Sequence, residues 1–297
     1  MINKTMINKT TMSKTFGTLL AAATLAGAAT RPDMLVTTDW LAQHQSDAKV
    51  VILHVAANRT AYDAGHIPGA RFVGLPQLVV NGPGILNELP PVADLKKVLE
   101  AAGVSDDSRI ILYGDASVLP ATRAYFTLDY LGHGDQAALL DGGLEKWRAE
   151  GRTLSKDAVT AAAGHFTPHP KPELVVQIDE VKQLSAKPAS SQSAVLLDAR
   201  PATDFKGEKG EHIPGAVNQF WMENQTTHEN QTLKSDADLL ALYAKLGVTP
   251  DKPVVTYCHS GMQATQAYFT LKHLGYDVRL YDGSMSEWTA KGAPLEK

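Results

Sequence analysis

One cysteine in 297 residues leaves no partner for an internal disulfide, so Cys258 is either kept for reactivity or tolerated as a small buried hydrophobe. Beyond the N-terminal stretch, no apolar run approaches the length that spans a bilayer. Positive charge is not in excess: 28 Lys and Arg stand against 32 Asp and Glu, a formal net charge of −4. An acidic body argues against nucleic acid or an anionic membrane as partner. No phosphate-binding glycine pattern or nucleotide motif occurs. His165 and His169 have a metal-like spacing, but they lie in a proline-bearing stretch without a Cys or acidic cluster, so no metal site is expected.

What the chain does have is the composition of a globular protein, 44% hydrophobic and 20% charged, with length for one large or two ordinary domains. Residues 1–28 read as an export signal: Lys4, Lys9 and Lys14 precede the apolar run Phe16 to Leu25, and Ala26-Gly27-Ala28 supplies a small-x-small cleavage pattern. Its removal takes three lysines and no acid, changing the formal charge from −4 to −7. An exported, periplasmic protein with no membrane partner after signal removal is the expectation.

The rest of the chain is two copies of one unit. HIPGA at 66–70 recurs at 212–216, DLKKVLEAAGV from Asp94 matches DLLALYAKLGV from Asp238, ATRAYFTL from Ala121 matches ATQAYFTL from Ala264, and DGGLEKW from Asp141 matches DGSMSEW from Asp282. Each copy is the size of a domain, which makes this a tandem pair rather than a solenoid. Short apolar runs (50–53, 110–113 and 137–140, then 195–197, 254–257 and 278–281) alternate with helical patterns, the signature of an α/β fold with a mainly parallel sheet flanked by helices. The expected division is residues 33–151 and 174–297, joined by a linker at 152–173 that lacks periodicity.

Around the cysteine, Val254 to Tyr257 read as a strand and a helix opens at about Met262, with Ala264, Ala267, Tyr268, Leu271 and Leu274 on one stripe. A thiol between a strand end and a helix N-terminus faces loop amides, which favours an anion and predicts a lowered thiol pKa. Aligned through the ATxAYFTL helix, the first copy carries Asp115 at the place of Cys258. A carboxylate is no soft nucleophile, so copy two reads as catalytic and copy one as a partner closing the cleft.

Paired HIPGA units, LLDAR, a strand–Cys–loop–helix and DG(x)3EW together resemble the two-domain rhodanese family of sulfurtransferases, over essentially the whole chain from Leu35. The resemblance implies tandem rhodanese-like domains, the first non-catalytic, and a persulfide on Cys258 that carries sulfur from a small anionic donor to a thiophilic acceptor such as cyanide, with no cofactor. It makes Arg200 the clamp for the donor, and His259, Ser260, Gly261, Met262 and Gln263 the loop that receives it. Ser260 matches the serine of mercaptopyruvate-using members, where it pairs with the histidine of the first HIPGA, here His66. His54 stands where those members carry the relay's Asp, and the fixed cations of thiosulfate-using members are replaced by His259 alone. The reading favours thiosulfate as donor, with 3-mercaptopyruvate or a non-turnover persulfide carrier as alternatives. A Cys-x5-Arg phosphatase would need arginine where Ala264 stands.

Overall fold

The computed structural model describes residue 1 and residues 29–157, 159–206, 210–227 and 231–297, so the predicted export signal lies outside the described residues. The first repeat contains β1 (Leu35–Val36), β2 (Val50–Ala56), β3 (Arg71–Gly74), β4 (Val80–Gly82), β5 (Ile85–Glu88), β6 (Arg109–Tyr113) and β7 (Ala137–Leu140). Its helices are α1 (Thr38–His44), α2 (Thr60–Ala64), α3 (Val92–Ala101), α4 (Leu119–Tyr130) and α5 (Gly143–Ala149). The second contains β8 (Val195–Asp198), β9 (Val217–Asn218), β10 (Val254–Tyr257) and β11 (Val278–Leu280). With them come α6 (Ile178–Ser185), α7 (Ala202–Lys206), α8 (Asp236–Ala244), α9 (Met262–His273) and α10 (Ser284–Ala290).

Both main sheets are parallel throughout, in the orders β1-β7-β6-β2-β3 and β11-β10-β8-β9. Their central strands are buried on both faces, which is why they read as unbroken apolar runs rather than alternating ones. The α/β architecture with helices on the sheets is therefore the one expected. The short strands β1, β3 and β9 and the antiparallel hairpin β4–β5 carried too few apolar residues to be read from sequence.

The repeats meet through the two helices whose sequences are most alike. Tyr125 packs edge-on to Phe269 at 4.9 Å and Phe126 edge-on to Tyr268 at 5.0 Å, while the Thr122 and Thr265 hydroxyls bond at 3.0 Å. The aromatic contacts each pair a residue with the counterpart of its neighbour, and the threonines are each other's counterparts, the mark of a pseudo-twofold, self-complementary interface. ATxAYFTL is thus shared because α4 and α9 must each fit the other. One buried apolar cluster runs from Leu53 and Leu112 through these helices to Val254 and Leu280, so the domains share a core. Tight aromatic pairs of this kind contribute roughly 0.5–1.5 kcal/mol each beyond the area they bury.

Candidate active site

Cys258 follows β10 at the carboxyl edge of the parallel sheet, where α/β folds bind ligands. The loop folds back over the sulfur because of two residues. Gly261 caps α9 in the left-handed region (φ 82°), and a β-carbon there would lie 2.5 Å from Asp282 Oδ1, so only glycine fits. Ser284 is fully buried and is itself left-handed (φ 51°), where the first copy has Gly143 at φ 54°. A serine held there costs about 1–3 kcal/mol of backbone strain. Its hydroxyl explains its presence: Oγ accepts the N–H of Cys258 and of Gly261, each at 3.1 Å, and donates to the Tyr281 carbonyl at 2.9 Å. With those two amides turned toward Ser284, the N–H groups of Ala264, Ser260 and Gln263 face the sulfur.

These amides do not make the resting thiol acidic, in contrast to the sequence-based expectation. Cys258 is 1% exposed, and burial pushes its thiol up more strongly than the three amides pull it down, with the Asp198 carboxylate adding to the rise. Alkylation by iodoacetamide is accordingly expected to accelerate through the alkaline range, with a midpoint above the ordinary thiol value of about 8.5. A midpoint below that value would show that the cradle overcomes burial.

Arg200 lines a cavity of about 320 Å³ together with Thr203, Asp204, Glu211, His259, Met285 and Thr289. Much of its guanidinium is already committed within the protein. Nε lies 3.0 and 3.1 Å from the two oxygens of buried Asp198, Nη2 lies 2.6 Å from Oδ2, and Nη2 also donates to the Glu211 carbonyl at 2.8 Å. Burial lowers the Arg200 pKa, but the Asp198 bonds outweigh it and leave the group raised. The arginine thus neutralises Asp198 beneath the cavity and lends it only the face left uncovered. Met262 and Gln263 form the first turn of α9, half-buried beside the cysteine loop.

His66 is placed elsewhere. It stacks on Tyr62 at 3.8 Å and bonds the Tyr62 carbonyl through Nδ1, as its counterpart His212 stacks on Phe205 at 3.8 Å and bonds the Phe205 carbonyl. Both hold the turn of HIPGA, and among the described residues no hydrogen bond joins His66 to Ser260. Ser260 Oγ instead accepts from Asn87 Nδ2 of the first repeat at 3.0 Å. His54, the counterpart of Asp198 by strand register, is buried 3.7 Å from Asp115 and holds that carboxyl below its usual range. The Ser–His–acid relay is therefore not assembled.

The first repeat's loop also differs from its sequence alignment. Tyr113 and Tyr257 hold the same register against β2 and β8, and the Gly114 and Cys258 carbonyls accept equivalent bonds from Leu144 and Met285, so Gly114 and not Asp115 occupies the cysteine position. The loop in copy one is one residue longer, which is why alignment through the helix is off by one. A β-carbon on Gly114 would sit 2.1 Å from the Ser117 carbonyl oxygen, so the space for a sulfur is filled by backbone.

Two fused parallel α/β domains, one with a thiol in an amide-lined loop at its sheet edge and one with that loop collapsed, define a class of two-domain proteins built around a single buried cysteine. Residues 37–150 and 177–291 each match the model of the rhodanese-like domain, and the chain belongs to the rhodanese family. It is 33% identical to the sulfur carrier protein TtuD of Thermus thermophilus over 90% of this chain and 97% of that protein. It is 32% identical to the 3-mercaptopyruvate sulfurtransferase of Escherichia coli over 88% and 97%. It is also 32% identical to a Saccharopolyspora erythraea protein named "Putative thiosulfate sulfurtransferase" over 90% and 97%. Among solved structures it is similar to EanB (TM-score 0.79, 27% identity), covering 89% of this chain and 69% of that one.

Sequence reasoning missed Asp198, Asp282, Ser284 and Asn87. The first copy's DGG against the second's DGS was the available signal for Ser284, since a glycine replaced by serine in an otherwise matching turn marks a hydroxyl with a task.

Proposed function

We propose that the protein is a sulfurtransferase that takes sulfane sulfur from thiosulfate onto Cys258 and passes it to a thiophilic acceptor such as cyanide. In the first step the Cys258 thiolate attacks the outer sulfur of thiosulfate, the S–S bond breaks, and sulfite leaves with the bonding pair. In the second, cyanide takes the terminal sulfur, leaving thiocyanate and the thiolate. The observation that carries this reading is the cluster of Ala264, Ser260 and Gln263 amides facing the sulfur, which suits an anionic persulfide. Thiosulfate is favoured over 3-mercaptopyruvate because the latter reaction needs a proton donor, and neither His66 nor His54 lies in a relay to Ser260.

A second reading, a persulfide carrier without turnover of its own, draws on the near-complete burial of Cys258 and on the likeness to a protein named as a sulfur carrier. Rates measured side by side with thiosulfate and with 3-mercaptopyruvate, cyanide as acceptor, test the assignment. Faster turnover with thiosulfate is expected; faster turnover with 3-mercaptopyruvate would reverse the donor, and a persulfide that forms but never discharges would favour the carrier. We also propose that residues 1–28 direct export to the periplasm, on the basic and then apolar pattern they carry. N-terminal sequencing of chain recovered from the periplasm, beginning after Ala28, tests that step.

A further inference from the structure

The hairpin β4–β5 belongs to the first repeat but lies against the second. A β-carbon on Gly84 at its tip would come 2.7 Å from the Ala290 side chain of α10, and Leu89, just after β5, donates its N–H to Asp282 Oδ2 at 3.1 Å. The second repeat does the same in return: Leu233, its counterpart, donates to Asp141 Oδ1 at 3.0 Å. Two residues before each leucine stands a non-glycine in the left-handed region, Asn87 at φ 59° and Gln231 at φ 50°. Asparagine adopts that region more readily than most residues, and the Asn87 backbone is pinned there by its N–H to Asn81 Oδ1 at 2.8 Å. The domains therefore exchange arms, each laying one side chain on the other's strand–helix loop.

The two arms end differently. Gln231 Nε2 reaches the backbone carbonyl of Asp115 at 3.3 Å, in the loop with no room for a sulfur. Asn87 Nδ2 reaches a side chain, the Ser260 hydroxyl, at 3.0 Å. Ser260 is two residues from Cys258, and its own amide is one of the three that face the sulfur. Because Asn87 donates to Oγ, the serine keeps its proton to donate, and its side chain is tethered from outside the domain.

We propose that Asn87, supplied by the non-catalytic domain, is a positioning residue for sulfur transfer: it fixes Ser260 so that the serine amide stays on the Cys258 sulfur. This rests on the persulfide chemistry proposed above. It also gives the first repeat a task that a catalytic domain alone could not perform.

The test uses the full chain with four variants: Asn87→Gly, which keeps the left-handed backbone and removes the amide; Asn87→Asp, which keeps the shape and replaces donor with acceptor; Ser260→Ala; and the mirror variant Gln231→Gly. Persulfide formation from thiosulfate is followed by intact mass, and iodoacetamide alkylation of Cys258 at fixed pH gives a readout that needs no sulfur donor. Loss of one hydrogen bond predicts a slowing of about five- to tenfold in both readouts for Asn87→Gly and for Ser260→Ala. The combined Asn87→Gly/Ser260→Ala variant is expected to be less than about twofold slower than either, because both remove one interaction. Asn87→Asp is expected to be at least as slow as Asn87→Gly, and Gln231→Gly to stay within about twofold of the unmodified protein at a comparable loss of thermal stability. Costs that add in the combined variant, or an Asn87→Gly rate within twofold of the unmodified protein, would overturn the assignment. If Asn87→Gly does not fold, Asn87→Asp decides by the same criteria. Should the unmodified protein form no persulfide from thiosulfate or 3-mercaptopyruvate, the sulfurtransferase reading fails, and the alkylation rates alone then uphold or reject the role of Asn87.

Discussion

Cys258→Ser is expected to abolish sulfur transfer while leaving the fold intact. Oxygen is less polarisable than sulfur and cannot hold the transferred atom as a persulfide, so no part of the cycle survives. The fold should tolerate the change, since serine is close in size and Ala264, Ser260 and Gln263 present amides to the position. His66 cannot take over as nucleophile because its ring is stacked in the first-repeat turn. Steady-state turnover with thiosulfate and cyanide, alongside thermal unfolding, checks both halves. Turnover by the serine variant at the rate of the unmodified protein would remove Cys258 from the chemistry.

The second large effect is on stability and comes from the domain interface. Arg123 of α4 has no exposed side-chain surface, and its Nη1 and Nη2 meet Asp282 Oδ1 and Oδ2 at 2.5 and 2.9 Å. Asp282 also takes the Leu89 amide and backs Gly261 of the cysteine loop. Asp282→Ala strands a buried guanidinium, which typically costs about 3–5 kcal/mol. The unfolding midpoint should fall by roughly 10 °C. The mirror change Asp141→Ala removes a carboxyl bonded to the Leu233 amide, and should cost only about 1–2 kcal/mol. Calorimetry of the two variants side by side makes the comparison; equal losses would mean that the Arg123 pair adds nothing to the interface.

Much of the fold was legible because its signals are local. Unbroken apolar runs announced the longer, buried parallel strands, and the striped pattern after Met262 announced α9. The repeat was visible in HIPGA and ATxAYFTL, but its meaning was not. HIPGA recurs because His66 and His212 brace equivalent turns, and ATxAYFTL because α4 and α9 face each other. The candidate site was legible at Cys258, where a strand end, a glycine-bearing loop and a helix start follow one another in sequence. It was hidden where the partner is distant in sequence: Asn87 and Ser260 are 173 residues apart, and Arg123 and Asp282 are 159 apart. Arg200 shows a further limit, since LLDAR cannot reveal that its arginine folds back onto the aspartate two residues earlier. The thiol pKa turned on burial, and a loop motif read by itself does not report how completely the residue is enclosed.

The most direct test of the account is the intact mass of the protein after incubation with thiosulfate and again after addition of cyanide. The account predicts a gain of one sulfur atom on the unmodified chain, lost on cyanide with release of thiocyanate, and no gain on Cys258→Ser. An unchanged mass with thiosulfate, or an added sulfur that persists in the serine variant, would contradict it.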